Sequence, residues 1–453
     1  MKKFAVQLKT IAAVCFVTFA PAASAETLAD ALTYAYDHSG LIDQNRALLR
    51  AADEDVAQSV ASTLPVINWA ATATSSAPRT TGADLISANA SISASLTIYD
   101  SGANQLAIDA QKELVLGTRQ SLINIEQQVL LRAIEAYMNV RRNSEFVALR
   151  QSNVNVINQE LRAANDRFEV GEVTRTDVSL AEARLAEARS LLASAQGNLT
   201  QSAEEFRAAV GRAPGRLDPV SPAPVARTID DAKAFAVRNH PSMREAQHSV
   251  SAAELNIRRA EAANNPSVSL DASLGFNDEF DFGRQVGVTV SGPIYQGGRL
   301  SSAVRQFMAR RDAARAGLHI TSHGIEQQVG NAYSFLEVAR ASRQASEEQI
   351  RASTVAFRGV REEATLGART TLDVLNAEQE LLSARANQIS AQADEVVASY
   401  TMLSATGLLT AEHLRLPVQQ YDPSAYYNLV KDAPTSTSDQ GAALDRVLRA
   451  IGD

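Results

Sequence analysis

Residues 366–375 read Leu-Gly-Ala-Arg-Thr-Thr-Leu-Asp-Val-Leu, the best interruption in a run without proline between Pro293 and Pro417. A second such run, between Pro78 and Pro214, is broken in the same way at Val170-Gly171-Glu172 and resumes at Thr176-Asp177-Val178. Proline costs a helix interior roughly 3 kcal/mol, so proline-free runs of this length permit very long helices. Glycine marks a turn, and Thr followed by Asp suits a helix start, as in Thr176-Asp177 and in Thr370-Thr371 before Asp373. Each run therefore reads as a helical hairpin. The long arms are 102–168 and 299–364, and the short arms are 176–210 and 372–407. At 1.5 Å per residue a long arm reaches roughly 100 Å, far more than a globular domain needs.

The two hairpins belong to an internal duplication. Thr27-Leu-Ala-Asp-Ala aligns with Thr228-Ile-Asp-Asp-Ala at an offset of 201, and Pro65 aligns with Pro266. Further on the offset is 196. It carries Ile98-Tyr99 onto Ile294-Tyr295, Ala136-Tyr137 onto Ala332-Tyr333, Gly171 onto Gly367 and Asp177 onto Asp373. The divisions are a first repeat 26–213, a Pro-rich linker 214–227, a second repeat 228–416 and a C-terminal segment 417–453. That last segment reads as a flexible tail with a short amphipathic helix near 441–451.

The short arms carry heptads. Leu375, Leu382, Ile389, Val396 and Leu403 form a large stripe, and Ala377, Ala384, Ala391, Ala398 and Ala405 a small one. Seven-residue spacing imposes a left-handed supercoil. Ahead of the long arms lie alternating segments: 91–98, 267–276, 285–290 and, more weakly, 66–75. One face of each is apolar and the other small and polar. That is the pattern of a membrane β-barrel with a wet lumen, and also of a half-buried soluble sheet.

Four strands cannot close a barrel, and open edges are not viable in hydrocarbon. If these strands enter a membrane, several chains pool them. The fold class is then mainly α with a β-barrel portion, in which long hairpins form an α-barrel and membrane strands cap it.

Composition agrees. The 453 residues are 45% hydrophobic but only 5% aromatic, which favours long helices over a globular enzyme core. Residues 1–25 read as a signal peptide: Lys2, Lys3 and Lys9, an apolar stretch 11–20, then Ala23-Ser24-Ala25. Its removal takes the net charge from −8 to −11, because it holds three lysines and no acid. A net-negative exported chain is a poor nucleic-acid binder. The single cysteine, Cys15, lies inside that signal and is badly placed for lipidation. The mature chain then has no disulfide or thiolate site. No later segment has 18 consecutive apolar residues, so membrane insertion falls to the strands.

No catalytic constellation emerges, and no cofactor is implied. His319 and His323 are four apart on a helix, but no HExxH pattern surrounds them. They read as a solvated or packed pair. Gly297-Gly298 is a strand-to-helix corner, not a phosphate loop.

Pro293-Ile294-Tyr295-Gln296-Gly297-Gly298-Arg299 resembles the strand-to-helix signature of TolC-type outer-membrane efflux proteins. Ile98-Tyr99-Asp100-Ser101-Gly102 is a degenerate copy. The turns at Gly171 and Gly367 resemble that family's periplasmic tips, and Tyr421-Asp422-Pro423 with Tyr426-Tyr427 resembles members tied to type I secretion. The resemblance implies a homotrimer with a 12-stranded barrel in outer-membrane lipid and a helical tunnel across the periplasm. It also implies a tip that opens on docking a periplasmic adaptor and an inner-membrane ABC or RND-type transporter. By motif match, Asp373 belongs to an acidic ring that narrows the tip. The family's second Asp is Asn376 here, a departure that counts against a double ring. Arg369 matches a basic latch whose natural partners are Thr176 and Asp177. Both aspartates also suit helix starts, and the two roles can coexist. The competing reading is a soluble periplasmic coiled-coil scaffold without a pore.

Overall fold

A computed structural model describes residues 26–75, 86–226, 228–277 and 281–452. The expected signal, 1–25 with Cys15, lies outside the described residues. In chain order the elements are helices α1 (Leu28–Asp37) and α2 (Gly40–Ala61), strands β1 (Val66–Ser75) and β2 (Ile86–Tyr99), and helices α3 (Ala103–Glu169) and α4 (Arg175–Val210). The same succession then recurs: α5 (Ile229–Asn239), α6 (Pro241–Ala262), β3 (Ser267–Asn277), β4 (Phe282–Ser291), α7 (Arg299–Thr365) and α8 (Thr371–Ala405). Two short helices close the chain, α9 (Pro423–Val430) and α10 (Asp439–Gly452).

The long arms, α3 and α7, each run 67 residues unbroken. Each copy opens with two helices. The first break is at Ser39, whose hydroxyl caps α2. The second is at His240-Pro241, with proline at the first turn of α6, where its missing N–H costs nothing.

Heptad positions turn inward, Ala398 against Leu336 and Ala339 of α7, and Val396 and Leu403 into a core with α3. Leu375, Leu382, Val396 and Leu403 are buried, as are Ala384, Ala391 and Ala398. In α4 the buried stripe is Ala181, Ala188, Ala195 and Ser202, with Leu185 and Phe206 beside it. Small residues let the arms approach closely.

The strands form one antiparallel sheet in the order β1-β2-β3-β4. The β2–β3 pairing fuses the hairpins of the two repeats, and pairing with β1 carries β2 back to Ile86, before the expected start at 91. Register decides the faces. Trp69 lies opposite Ile92, Ile92 opposite Leu274, Leu270 opposite Val288, and Val268 opposite Val290. The large apolar residues of all four strands, Val66 excepted, therefore share one face, which Arg284 joins opposite Leu274. That face is bare: Trp69 is 80% exposed and Val286 75%. The other face carries Ser95, whose hydroxyl donates to Asp271 Oδ1 at 2.8 Å.

The main core lies where α1, α3, α4 and α8 meet the linker. Tyr137 is fully buried there, and its hydroxyl donates to the carbonyls of Glu26 (2.8 Å) and Asp218 (2.9 Å). The C-terminal segment packs instead of trailing free. Val430 and Leu444 bury against Ala57, and the Tyr426 hydroxyl donates to Glu54 at 2.7 Å. An apolar stripe on two short helices is the physical reason.

Candidate functional site

The two hairpin tips are built alike. Gly171 and Gly367 sit at φ +79° and +75°, a left-handed geometry that favours glycine. Each ends its helix in a Schellman motif: Glu172 N donates to Arg167 O, and Ala368 N to Glu363 O, both at 2.9 Å. The next helix opens with a reciprocal cap. In the second tip Asp373 N donates to Thr370 Oγ1 (3.2 Å), while Thr370 N donates to Asp373 Oδ2 (3.0 Å). In the first tip the cap is Thr174, not Thr176. Thr174 N donates to Asp177 Oδ2 at 2.9 Å, and Thr176 lies exposed within the first turn. The Thr-x-x-Asp spacing, repeated at the offset of 196, is the signal that finds Thr174.

Both aspartates stay ionised. The backbone N–H and hydroxyl of Thr174 hold the Asp177 carboxyl below the usual range. Those of Thr370 do the same for Asp373, aided by the charge of Arg369. Arg369 Nε itself donates to Glu363 Oε2 at 2.8 Å, so within one chain its carboxylate partner is on its own hairpin. Asn376 is exposed one turn further along α8.

At the other end of the long helices, Gly102 and Gly298 both adopt φ +82° as helix caps, and Gly297 adopts +58°. Asp100, which the sequence reading did not single out, caps α3: Asn104 N donates to its Oδ2 at 2.7 Å. Pro293 precedes an outward corner where Ile294 and Tyr295 are almost fully exposed, and Tyr99 is half-exposed at the end of β2.

A buried polar contact joins the hairpins. Asn153 Nδ2 donates to Glu378 Oε1 at 2.8 Å, with both residues buried. Burial pushes the Glu378 carboxyl up to about 7, despite the Asn153 bond that favours its ionised form. Its sequence signal is a charge three residues after Leu375, at a heptad core position.

His323 faces Glu326 at 3.4 Å on the exposed side of α7. Among the described residues no three His, Cys, Asp or Glu side chains converge as metal ligands. Nor is any described helix long and apolar enough to cross a membrane.

Matched against known proteins, the outer membrane efflux protein profile covers residues 35–212 and 235–408. The chain belongs to that family. It is 36% identical to the outer membrane efflux protein BepC of Brucella suis over 424 residues, 91% of this chain and 92% of BepC. It is 26% identical to the outer membrane protein TolC of Vibrio cholerae, across 87% of this chain and 94% of TolC. Its fold is similar to the outer membrane channel CmeC of Campylobacter jejuni, with a TM-score of 0.75 at 15% identity over 90% of each chain. The bare sheet face and the tandem hairpins are thus those of an outer-membrane efflux channel of the TolC type.

Proposed function

We propose that three copies of the chain form a passive exit duct across periplasm and outer membrane. Each copy gives four strands to a 12-stranded barrel, enough to exceed the roughly eight of a small closed barrel. The observation that carries this is the sheet: one largely apolar face, with β1 and β4 as edges that have no outer partner among the described residues. Edges in lipid need partners, and a second and third copy supply them. A soluble scaffold has no use for a Trp69 and Val286 face left open to solvent.

In this reading 1–25 directs export, 26–213 and 228–416 are the repeats joined by the linker 214–227, and 417–453 belts α2 from outside. The tips around Gly171 and Gly367 dock a periplasmic adaptor and an inner-membrane ABC or RND-type transporter. Asp373 lines the constriction as a single acidic ring, with Arg369 as its latch. The cargo is a type I secreted protein or a small toxic compound, set by the transporter. The corner residues Pro293, Tyr295, Gly297 and Gly298, with Tyr99 and Gly102, turn barrel strands into tunnel helices.

Native mass spectrometry and planar-bilayer recording of the detergent-purified protein test this together. The expected result is a trimer that conducts. A monomer that stays in plain buffer and never conducts overturns the duct and returns the scaffold reading.

A further inference from the structure

Where α8 ends and α6 begins, helices α7 and α8 of the second repeat and α3 of the first enclose a cavity of about 670 Å³. Five amide side chains line it: Asn124, Gln127, Gln128, Gln328 and Asn331. Hydroxyls and the apolar Ile125, Ala332 and Ala405 share the wall, and the described lining contains no Asp, Glu, Lys or Arg. The Phe335 ring, half-exposed, forms one side. Gln127 is only 3% exposed, yet its amide nitrogen has no hydrogen-bond partner among the described residues. A buried donor left unsatisfied in this way is costly.

The duplication provides a control. At the offset of 196, Gln328, Asn331, Thr401 and Phe335 correspond to Arg132, Glu135, Glu205 and Asn139. In the first repeat Arg132 bridges to Glu205, with Nε and Nη2 at 3.0 and 2.9 Å from Oε1. The second repeat has exchanged each of these charges for a neutral hydrogen-bonding group and added an aromatic ring. An exposed ion pair contributes little to stability, so its loss alone asks for no amides in its place.

We propose that this cavity binds an uncharged sugar of about disaccharide size. Amides and hydroxyls match the mixed donors and acceptors of sugar hydroxyl and acetamido groups. A half-exposed ring offers an apolar platform for the C–H face of a pyranose. The volume falls within the roughly 300–1,000 Å³ of ligand pockets. Without fixed charge, the walls give an acidic or basic ligand no counter-ion to offset its desolvation. His240, also in the wall, is kept neutral near pH 7 because burial lowers its pKa. The proposal stands apart from the export role, since one chain builds the whole cavity.

The test is calorimetric titration of the full-length protein in a sugar-free amine-oxide detergent. The probes are N,N′-diacetylchitobiose, cellobiose and glucuronic acid. Saturable binding of a neutral disaccharide is expected, with glucuronic acid at least about tenfold weaker. Gln328→Arg with Thr401→Glu rebuilds the first repeat's ion pair and should abolish binding. Phe335→Ala, at an exposed position that leaves the fold intact, should weaken it about tenfold. Sedimentation with insoluble chitin separates an immobilised glycan strand, which pulls the protein down, from a free saccharide, which binds without doing so. No saturable binding of either neutral disaccharide overturns the proposal. So does an affinity unchanged by Phe335→Ala.

Discussion

Asn153 Nδ2 donates to Glu378 Oε1 at 2.8 Å, a bond between residues 225 apart that ties the first hairpin to the second. Glu160 and Arg361, at 3.4 Å, make a more exposed bridge between the same hairpins. Three properties meet at Glu378: burial, a single amide donor, and a pKa near 7.

The first prediction concerns that group. Its folded pKa, about 7, exceeds the ordinary 4.5. The native state therefore keeps a proton that the unfolded chain loses between those values, so stability falls as pH rises through that window. Above it the penalty is constant, at most about 3 kcal/mol. Glu378→Gln keeps an acceptor for Asn153 and removes the ionisation. Its melting temperature should exceed the parent's at pH 8 and approach it below pH 4.5. Parallel pH profiles for the two proteins would remove Glu378 as the cause.

At the tip, capping and charge can be separated. Thr370→Ala removes the hydroxyl of the cap, a loss typically of about 1 kcal/mol, but leaves the Asp373 carboxylate. Asp373→Ala removes both. Divalent-cation block of single-channel current should persist in the first variant and weaken severalfold in the second. Equal block in all three proteins would take Asp373 out of the constriction.

Arg369 is held by Glu363 on its own hairpin. A latch held in this way should loosen from either side. Arg369→Ser and Glu363→Gln should both raise closed-state conductance, the first more strongly because it also removes a positive charge from beside Asp373. A change with Arg369→Ser alone would assign the latch to a contact with another hairpin.

The outer belt offers a further pH test. Asp53 is fully buried, neither carboxylate oxygen has a hydrogen-bond partner among the described residues, and burial raises its pKa to about 6. Nearby Arg119 opposes that rise. Folded pKa again exceeds the ordinary 3.8, so ionised Asp53 destabilises the protein above pH 6 by on the order of 3 kcal/mol. Asp53→Asn should raise the melting temperature at pH 8 and leave it unchanged below about pH 3. A lower melting temperature at pH 8 would show that attraction to Arg119 outweighs the desolvation.

Several features were legible before any coordinates. Missing prolines and the glycines at 171 and 367 marked both hairpins, because backbone breakers act on the residues beside them. Alternation placed the four strands, since a strand's two faces are written in its own order of residues. The caps were half legible: Asp177 and Asp373 were found, but Thr174 was passed over for its neighbour Thr176.

By itself the sequence determined the duplication, the lengths of the arms, the heptad stripes and the alternation, all of which depend on residues near one another in the chain. Tertiary structure alone decided the β2–β3 register that gathers the large apolar residues on one face, the Asn153–Glu378 bond, the belt of α9 and α10 on α2, and the amide-lined cavity between α3, α7 and α8. Each of these joins segments tens to hundreds of residues apart. Which distant segments meet is settled by how whole elements pack, and no local pattern carries that information.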